Sequence, residues 1–212
     1  MPDCGILSRC ALFRNLDPER TMQTLNGTES PLSAGQFLIR QGEPVDRIWI
    51  VLDGKLHAAC FGSGGQEFLY QQLLPGYLAA GEVACTPKKT SPYDVYAVEN
   101  CCLWSCPWSA LNHVPPELQL ALYQNLLAFV ANQNIRKYYK IDALSVRGAR
   151  DRILKYLTAQ ARRTGSRSFT IPMNREAMAN YLCLNRSVLS HELKQMEAEG
   201  LLRFRKNYFT LL

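Results

Sequence analysis

Residues able to do chemistry concentrate near the C-terminal end of this chain. Arg175, Asn185, Arg186, Ser187, Ser190, His191, Lys194, Arg203, Arg205 and Lys206 bring cations and hydroxyls together. Guanidinium and hydroxyl groups suit phosphate oxygens and base edges, and arginine can donate two hydrogen bonds to guanine O6 and N7. The remaining candidates are dispersed. His57, His113 and His191 stand far apart in the chain, with no nucleophile–base or metal-ligand spacing around them, so an enzyme is not expected. Of the 8 cysteines, Cys101, Cys102 and Cys106 fall in or beside a β-rich run, where a small buried thiol is the usual meaning.

Charge separates the chain into two parts. Residues 1–145 hold 11 Lys and Arg against 13 Asp and Glu, whereas residues 146–212 hold 13 against 5. The net charge of +6 therefore belongs to the last third, as for a nucleic-acid-binding module joined to a neutral partner domain. The opening residues show no apolar leader, and no apolar run approaches the roughly 20 residues of a membrane span. A cytoplasmic protein with reduced thiols is expected.

The elements that must position these groups follow from periodicity. Between about 32 and 108, short apolar runs at 36–40, 48–52, 55–61, 67–74, 93–98 and 101–106 alternate with turns, including Asp53-Gly54, which predicts an antiparallel sandwich or small barrel. Pro115-Pro116 opens a long helix from 117 to about 144. Its heptad positions Leu120, Tyr123, Leu127, Val130, Asn134, Lys137, Ile141 and Leu144 predict a twofold dimer, with Asn134 and Lys137 as polar register marks. Beyond it, Ile153, Leu154 and Leu157 give one helix an inner face, and 169–171 reads as a short strand.

Asn174 then caps a helix whose inner face is Ala177, Met178, Tyr181 and Leu182, with Ala179 small enough for a tight crossing. Cys183-Leu184-Asn185 turns, and Asn185 caps a second helix from Arg186 to about Glu199 with Leu189, Leu193 and Met196 on its core side. Arg186, Ser187, Ser190 and His191 then face a DNA major groove, with Arg175 and Lys194 on phosphate. Gly200 ends the helix, and 201–211 reads as a two-stranded wing turning at Lys206-Asn207, with Arg203, Arg205 and Lys206 near the backbone of the duplex.

Over nearly its whole length the chain resembles the Crp/Fnr family of bacterial transcription regulators. The resemblance rests on Phe37-Leu-Ile-Arg-Gln-Gly-Glu-Pro44, Ile48-Trp-Ile-Val-Leu-Asp-Gly54 and Leu184-Asn-Arg-Ser-Val-Leu-Ser-His-Glu-Leu-Lys194. It implies an α+β fold: an N-terminal antiparallel β-roll (a cupin-like jelly roll) as sensor over 1–114, a dimerisation helix over 115–145, and a winged helix-turn-helix over 146–212. The implied protein is a homodimer on a pseudo-palindromic operator, with double-stranded DNA and RNA polymerase as partners.

In cyclic-nucleotide-binding members a Gly-Glu pair precedes an Arg-Ser or Arg-Thr pair by about ten residues, the Glu holding ribose and the Arg the cyclic phosphate. Gly81-Glu82 is present, but Ser91-Pro92 stands where Arg-Ser would, and Lys88 or Lys89 cannot reproduce a guanidinium fork. The expected effector is a small molecule other than cyclic AMP. Its pocket would be Gly81, Glu82, Val83, Ser91 and Tyr93, with Lys137 and Tyr138 over the mouth. Other members sense oxygen through an iron–sulfur cluster, but Cys4 and Cys10 lack the third N-terminal cysteine of that pattern. A thiol switch is a further alternative. Haem would require His57 or Pro2 as ligand, and a third alternative is a helix-turn-helix turned to protein interaction.

Overall fold

The run Ile48-Trp49-Ile50-Val51-Leu52 is apolar at odd and even positions alike, which suits a strand covered on both faces. Ile48, Ile50 and Leu52 enter one hydrophobic core, while Val51 enters another with Trp49 at its margin. The computed structural model, which describes residues 4–212, places that strand inside a double sheet. Short helices α1 (Cys4–Leu7) and α2 (Pro18–Thr24) precede β1 (Thr28–Leu32), β2 (Phe37–Ile39), β3 (Arg47–Asp53), β4 (Leu56–Phe61), β5 (Glu67–Leu73) and β6 (Leu78–Ala79). A single-turn helix α3 (Gly81–Ala84) leads to β7 (Asp94–Ala97) and β8 (Cys101–Pro107). The antiparallel sheets run β1-β8-β3-β6 and β2-β7-β4-β5, the two halves of a jelly roll.

Strand β1 carries no apolar alternation and is largely exposed; its pairing with β8, from Thr28 opposite Ser105 to Leu32 opposite Cys101, makes it a strand. The Asp53-Gly54 hairpin is as expected. Gly54 has φ +83°, and a Cβ there would lie 2.4 Å from the Asn100 carbonyl oxygen, so the turn requires glycine.

Helix α4 (Pro116–Leu144) starts on proline and buries Leu122, Leu126 and Phe129 in the first core. Asn125 Nδ2 donates to the carbonyls of Leu12 and Arg14, both at 2.9 Å, fastening the N-terminal segment to the helix. The expected heptad line is mostly open. Leu120, Tyr123, Leu127, Asn134, Lys137 and Ile141 are exposed, Tyr123 also donating to Asn112 Oδ1 at 2.6 Å, whereas Val130 and Leu144 are half-buried. Ile135 and Tyr138 complete the exposed stripe instead.

The chain divides into two units, one formed by residues up to Cys60 with Tyr70–Gln133, the other by Phe61–Leu69 with Asn134–Leu212. In the second, α5 (Ala149–Thr164), β9 (Ser168–Thr170), α6 (Arg175–Leu182), α7 (Arg186–Ala198), β10 (Leu202–Arg205) and β11 (Tyr208–Leu211) follow in order. The wing is three-stranded, β10-β11-β9, because the short strand expected near 169–171 pairs with β11 through Phe169 opposite Phe209. Met178, Leu182, Leu189, Leu193, Met196, Leu202 and Phe209 are fully buried in one core. Leu193→Ala should lower the stability of this unit by about 2–5 kcal/mol, the usual cost of emptying a packed leucine site, read from urea unfolding.

Candidate nucleic-acid interface and effector site

Local capping sets the helix-turn-helix. Asn174 is extended, and its Oδ1 accepts from the Ala177 N–H at 2.9 Å, starting α6 where the sequence predicts. Cys183 ends α6 in the left-handed region, φ +53°, and Arg152 braces the turn. Its Nε donates to the Val146 carbonyl at 3.0 Å and its Nη1 to that of Cys183 at 3.3 Å. Sequence reasoning missed this arginine, since only the fold brings it to the turn. Asn185 occupies the N-cap position of α7, but its side chain makes no capping bond, contrary to expectation. The first-turn amides of α7 thus lack the Asn185 side-chain acceptor, and an end without such a cap suits an anion.

On α7, Leu189, Leu193 and Met196 are sealed inside, while Arg186, Ser187, Val188, His191 and Lys194 are exposed. Ser190 lies at the margin, half-buried. Arg186 Nη1 is 3.4 Å from Glu176 Oε2, with both side chains more than half exposed. An exposed pair of this kind contributes about 0–1 kcal/mol and yields readily to a competing acceptor. Arg203, Arg205 and Lys206 are exposed on the wing, Lys206 holding the turn at φ +54°.

Arg175 departs from the expected phosphate contact. Its guanidinium lies 4.8 Å from the Phe204 ring centroid and 5.0 Å from that of Phe209, and its Nη2 is buried without a hydrogen-bond partner. Burial holds its pKa below the usual arginine range. The residue joins α6 to the wing through cation–π contact.

In the first unit, Gly81 packs so closely that a Cβ would lie 2.5 Å from Leu78 Cδ2. Val83 beside it is buried. Glu82 Oε1 accepts from the Tyr93 hydroxyl at 2.7 Å. Burial first, then the Glu82 carboxylate, raises the Tyr93 phenol far above its ordinary pKa, so it stays a donor. Tyr70 meets the Tyr93 ring edge-on with centroids 6.0 Å apart. Ser91, expected to face an effector, is buried, and its Oγ donates to the Tyr93 carbonyl at 2.6 Å. Lys88 is exposed and Lys89 Nζ lies 5.5 Å from the Trp108 ring centroid. Lys137 and Tyr138 are exposed and belong to the second unit.

The residues named for the alternative sensors lie apart. His57 is buried, with Nε2 3.0 Å from Gln72 Nε2 and Nδ1 3.3 Å from the Tyr96 hydroxyl. Pro2 lies outside the described residues. No group of three or more His, Cys, Asp or Glu able to hold a metal occurs among the described residues. Burial pushes Cys10 and Cys106 up to about 11 and raises Cys85, Cys101 and Cys102, which keeps these thiols protonated and poorly nucleophilic at neutral pH.

Comparison with known proteins agrees with this arrangement. A cyclic nucleotide-binding domain model matches residues 29–114, and a Crp-like helix-turn-helix domain model matches 151–212. The chain is 23% identical to the anaerobic regulatory protein of Pasteurella multocida, over 99% of this chain and 78% of that protein. It is 25% identical to the transcriptional activator protein Anr of Pseudomonas protegens, over 94% and 83%. Among solved structures, FixK2 of Bradyrhizobium japonicum superposes with a TM-score of 0.67 at 19% identity, covering 87% of this chain and 92% of that one. A CooA mutant from Carboxydothermus hydrogenoformans gives 0.71 at 17%, covering 91% and 85%.

The raised thiols lead to a direct expectation. At pH 7.5, Cys10 and Cys106 should resist alkylation in the native protein and react only on unfolding, because deprotonation needs a pH near 11. Mass-spectrometric mapping of iodoacetamide adducts measures this, and rapid native labelling of either thiol would count against a protonated, buried state.

Proposed function

Because the chain belongs to the Crp/Fnr family of bacterial transcription regulators, we propose that it works as a cytoplasmic homodimer reading a pseudo-palindromic operator. The observation that carries this reading is the two-sided character of α7. Leu189, Leu193 and Met196 are fully buried, leaving Arg186, Ser187, His191 and Lys194 outward beside a wing with three exposed basic side chains. Arg186 reads a base edge, Ser187, Ser190 and His191 line the groove, and Lys194, Arg205 and Lys206 hold phosphates. The unfilled N-cap at Asn185 favours a phosphate at the same end. Arg175 serves this face indirectly, by bracing the wing.

Dimerisation uses the exposed stripe on α4. Leu120, Leu127 and Ile141 recur at intervals of seven and expose apolar surface, with Asn134 as the polar register mark. The relatives named above are regulators, and RNA polymerase is the further partner this role requires. No helix among the described residues is long and apolar enough to cross a membrane.

The effector is a small molecule other than cyclic AMP, seated around Gly81, Glu82, Val83 and Tyr93. No guanidinium stands where the cyclic phosphate would need one, and Ser91 is turned to the backbone. Millimolar cyclic AMP should therefore leave DNA affinity unchanged in a fluorescence anisotropy titration.

Two further outcomes test the central reading. On a duplex selected from a random pool, Arg186→Ala should cost about 1–3 kcal/mol and relax preference at one base position, whereas Lys194→Ala should weaken all sequences alike and reduce the salt slope by about 0.9. Affinity that is independent of salt would remove the DNA reading altogether. Leu127→Glu should convert dimer to monomer in analytical ultracentrifugation and weaken operator binding with it.

A further inference from the structure

The tip of the β4–β5 hairpin is packed as part of the DNA-binding unit, although the strands that carry it belong to the jelly-roll sheet. Leu69 is fully buried in the same core as Met178, Leu182 and Phe209. Its carbonyl accepts a hydrogen bond from Lys140 Nζ on α4. That ammonium stands 4.2 Å from the centroid of the Tyr181 ring. Two residues before Leu69, Glu67 Oε2 accepts from Asn180 Nδ2 at 2.6 Å, a contact between residues 113 positions apart. Asn180 and Tyr181 are consecutive residues of α6, the first helix of the helix-turn-helix.

These contacts converge on one side of a short helix. Asn180 and Tyr181 are half-buried and border the face of α6 whose Ala177, Met178, Ala179 and Leu182 are buried in the core shared with α7, Tyr181 packing against that same core. An ammonium withdrawn from water is retained only where nearby acceptors compensate it. Burial lowers Lys140 to about 8, so it is still mainly protonated at neutral pH and meets a carbonyl and a ring face with its charge intact.

We propose that Lys140, Glu67 and Leu69 form a clasp that sets the orientation of α6 and, through it, of the recognition helix α7. Lys140 and Glu67 are positioning residues: they act on DNA through Asn180 and Tyr181 and touch no phosphate. A ligand or mutation that draws the hairpin tip away frees α6 without altering any residue of the reading face. The DNA readout of this inference rests on the function proposed above, but the state of α6 can be measured without DNA.

The test uses the full-length chain with Lys140→Met, Glu67→Ala and Lys140→Arg, and a duplex selected from a random pool by the wild type. Hydrogen exchange of the α6 amides should accelerate about tenfold in Lys140→Met and Glu67→Ala, as for a helix released from local restraint. Duplex affinity should fall about tenfold in both, a coupling typical of packed side-chain networks. The salt slope should stay at the wild-type value, and Lys140→Arg, which keeps cation and donors, should recover most of the affinity. Wild-type exchange and affinity in Glu67→Ala and Lys140→Met would overturn the proposal. So would a slope reduced by about 0.9 in Lys140→Met, which would make this lysine a direct phosphate contact. If Lys140→Met fails to fold, Glu67→Ala alone decides between the same outcomes. Were the wild type to bind no DNA, the functional reading would fail, while unchanged exchange in the variants would still refute the clasp.

Discussion

A face made of polar side chains has no means of holding itself in place. The placement of the outward side chains of α7 therefore depends on how completely its opposite face is sealed, and Leu189, Leu193 and Met196 are each withdrawn from water entirely. Full burial contributes about 1.5–3 kcal/mol per large apolar side chain, enough to fix the helix while its outer residues stay free to meet a ligand. Ala179 permits the close crossing of α6, and Phe209 closes the core from the wing. Polar reading outside and apolar anchoring inside are two halves of one helical period.

That logic explains what could be read from the sequence. Asn174, the 189-193-196 spacing and the wing turn are local signals, encoded within a few residues of the structure they specify, and they recur in the fold at the expected positions. Signals made by distant partners were silent. β1 is a strand only because β8 lies beside it, and Arg175 turns inward only because β10 and β11 bring Phe204 and Phe209 beneath it. The heptad line on α4 was legible at Leu120, Leu127, Asn134 and Ile141, but Val130 is claimed by the first core, which periodicity alone could not reveal. Lys140 belongs to the same class: a lysine on a long helix gives no sign that it will be half-buried against a carbonyl and a ring.

The surroundings of Gly81 and Glu82 are held by contacts that their own stretch of sequence does not announce. Gly81 keeps the close approach to Leu78, and Glu82 keeps its place in α3. The partner of that carboxylate is now a phenol on the following strand segment, and the neighbouring serine satisfies the backbone. The region thus sets a carboxylate against a tyrosine hydroxyl, with a second tyrosine packed edge-on beside it.

The stripe on α4 has a geometric consequence beyond its apolarity. Its residues repeat every seven positions, whereas an α-helix completes two turns in slightly more than that, so the line drifts by about 20° per heptad around the helix surface. A second helix that keeps contact from Leu120 to Ile141 cannot run straight beside the first; it must wind around it with a left-handed twist. The handedness of any assembly built on this helix is thus already written in the spacing of three apolar residues and one asparagine.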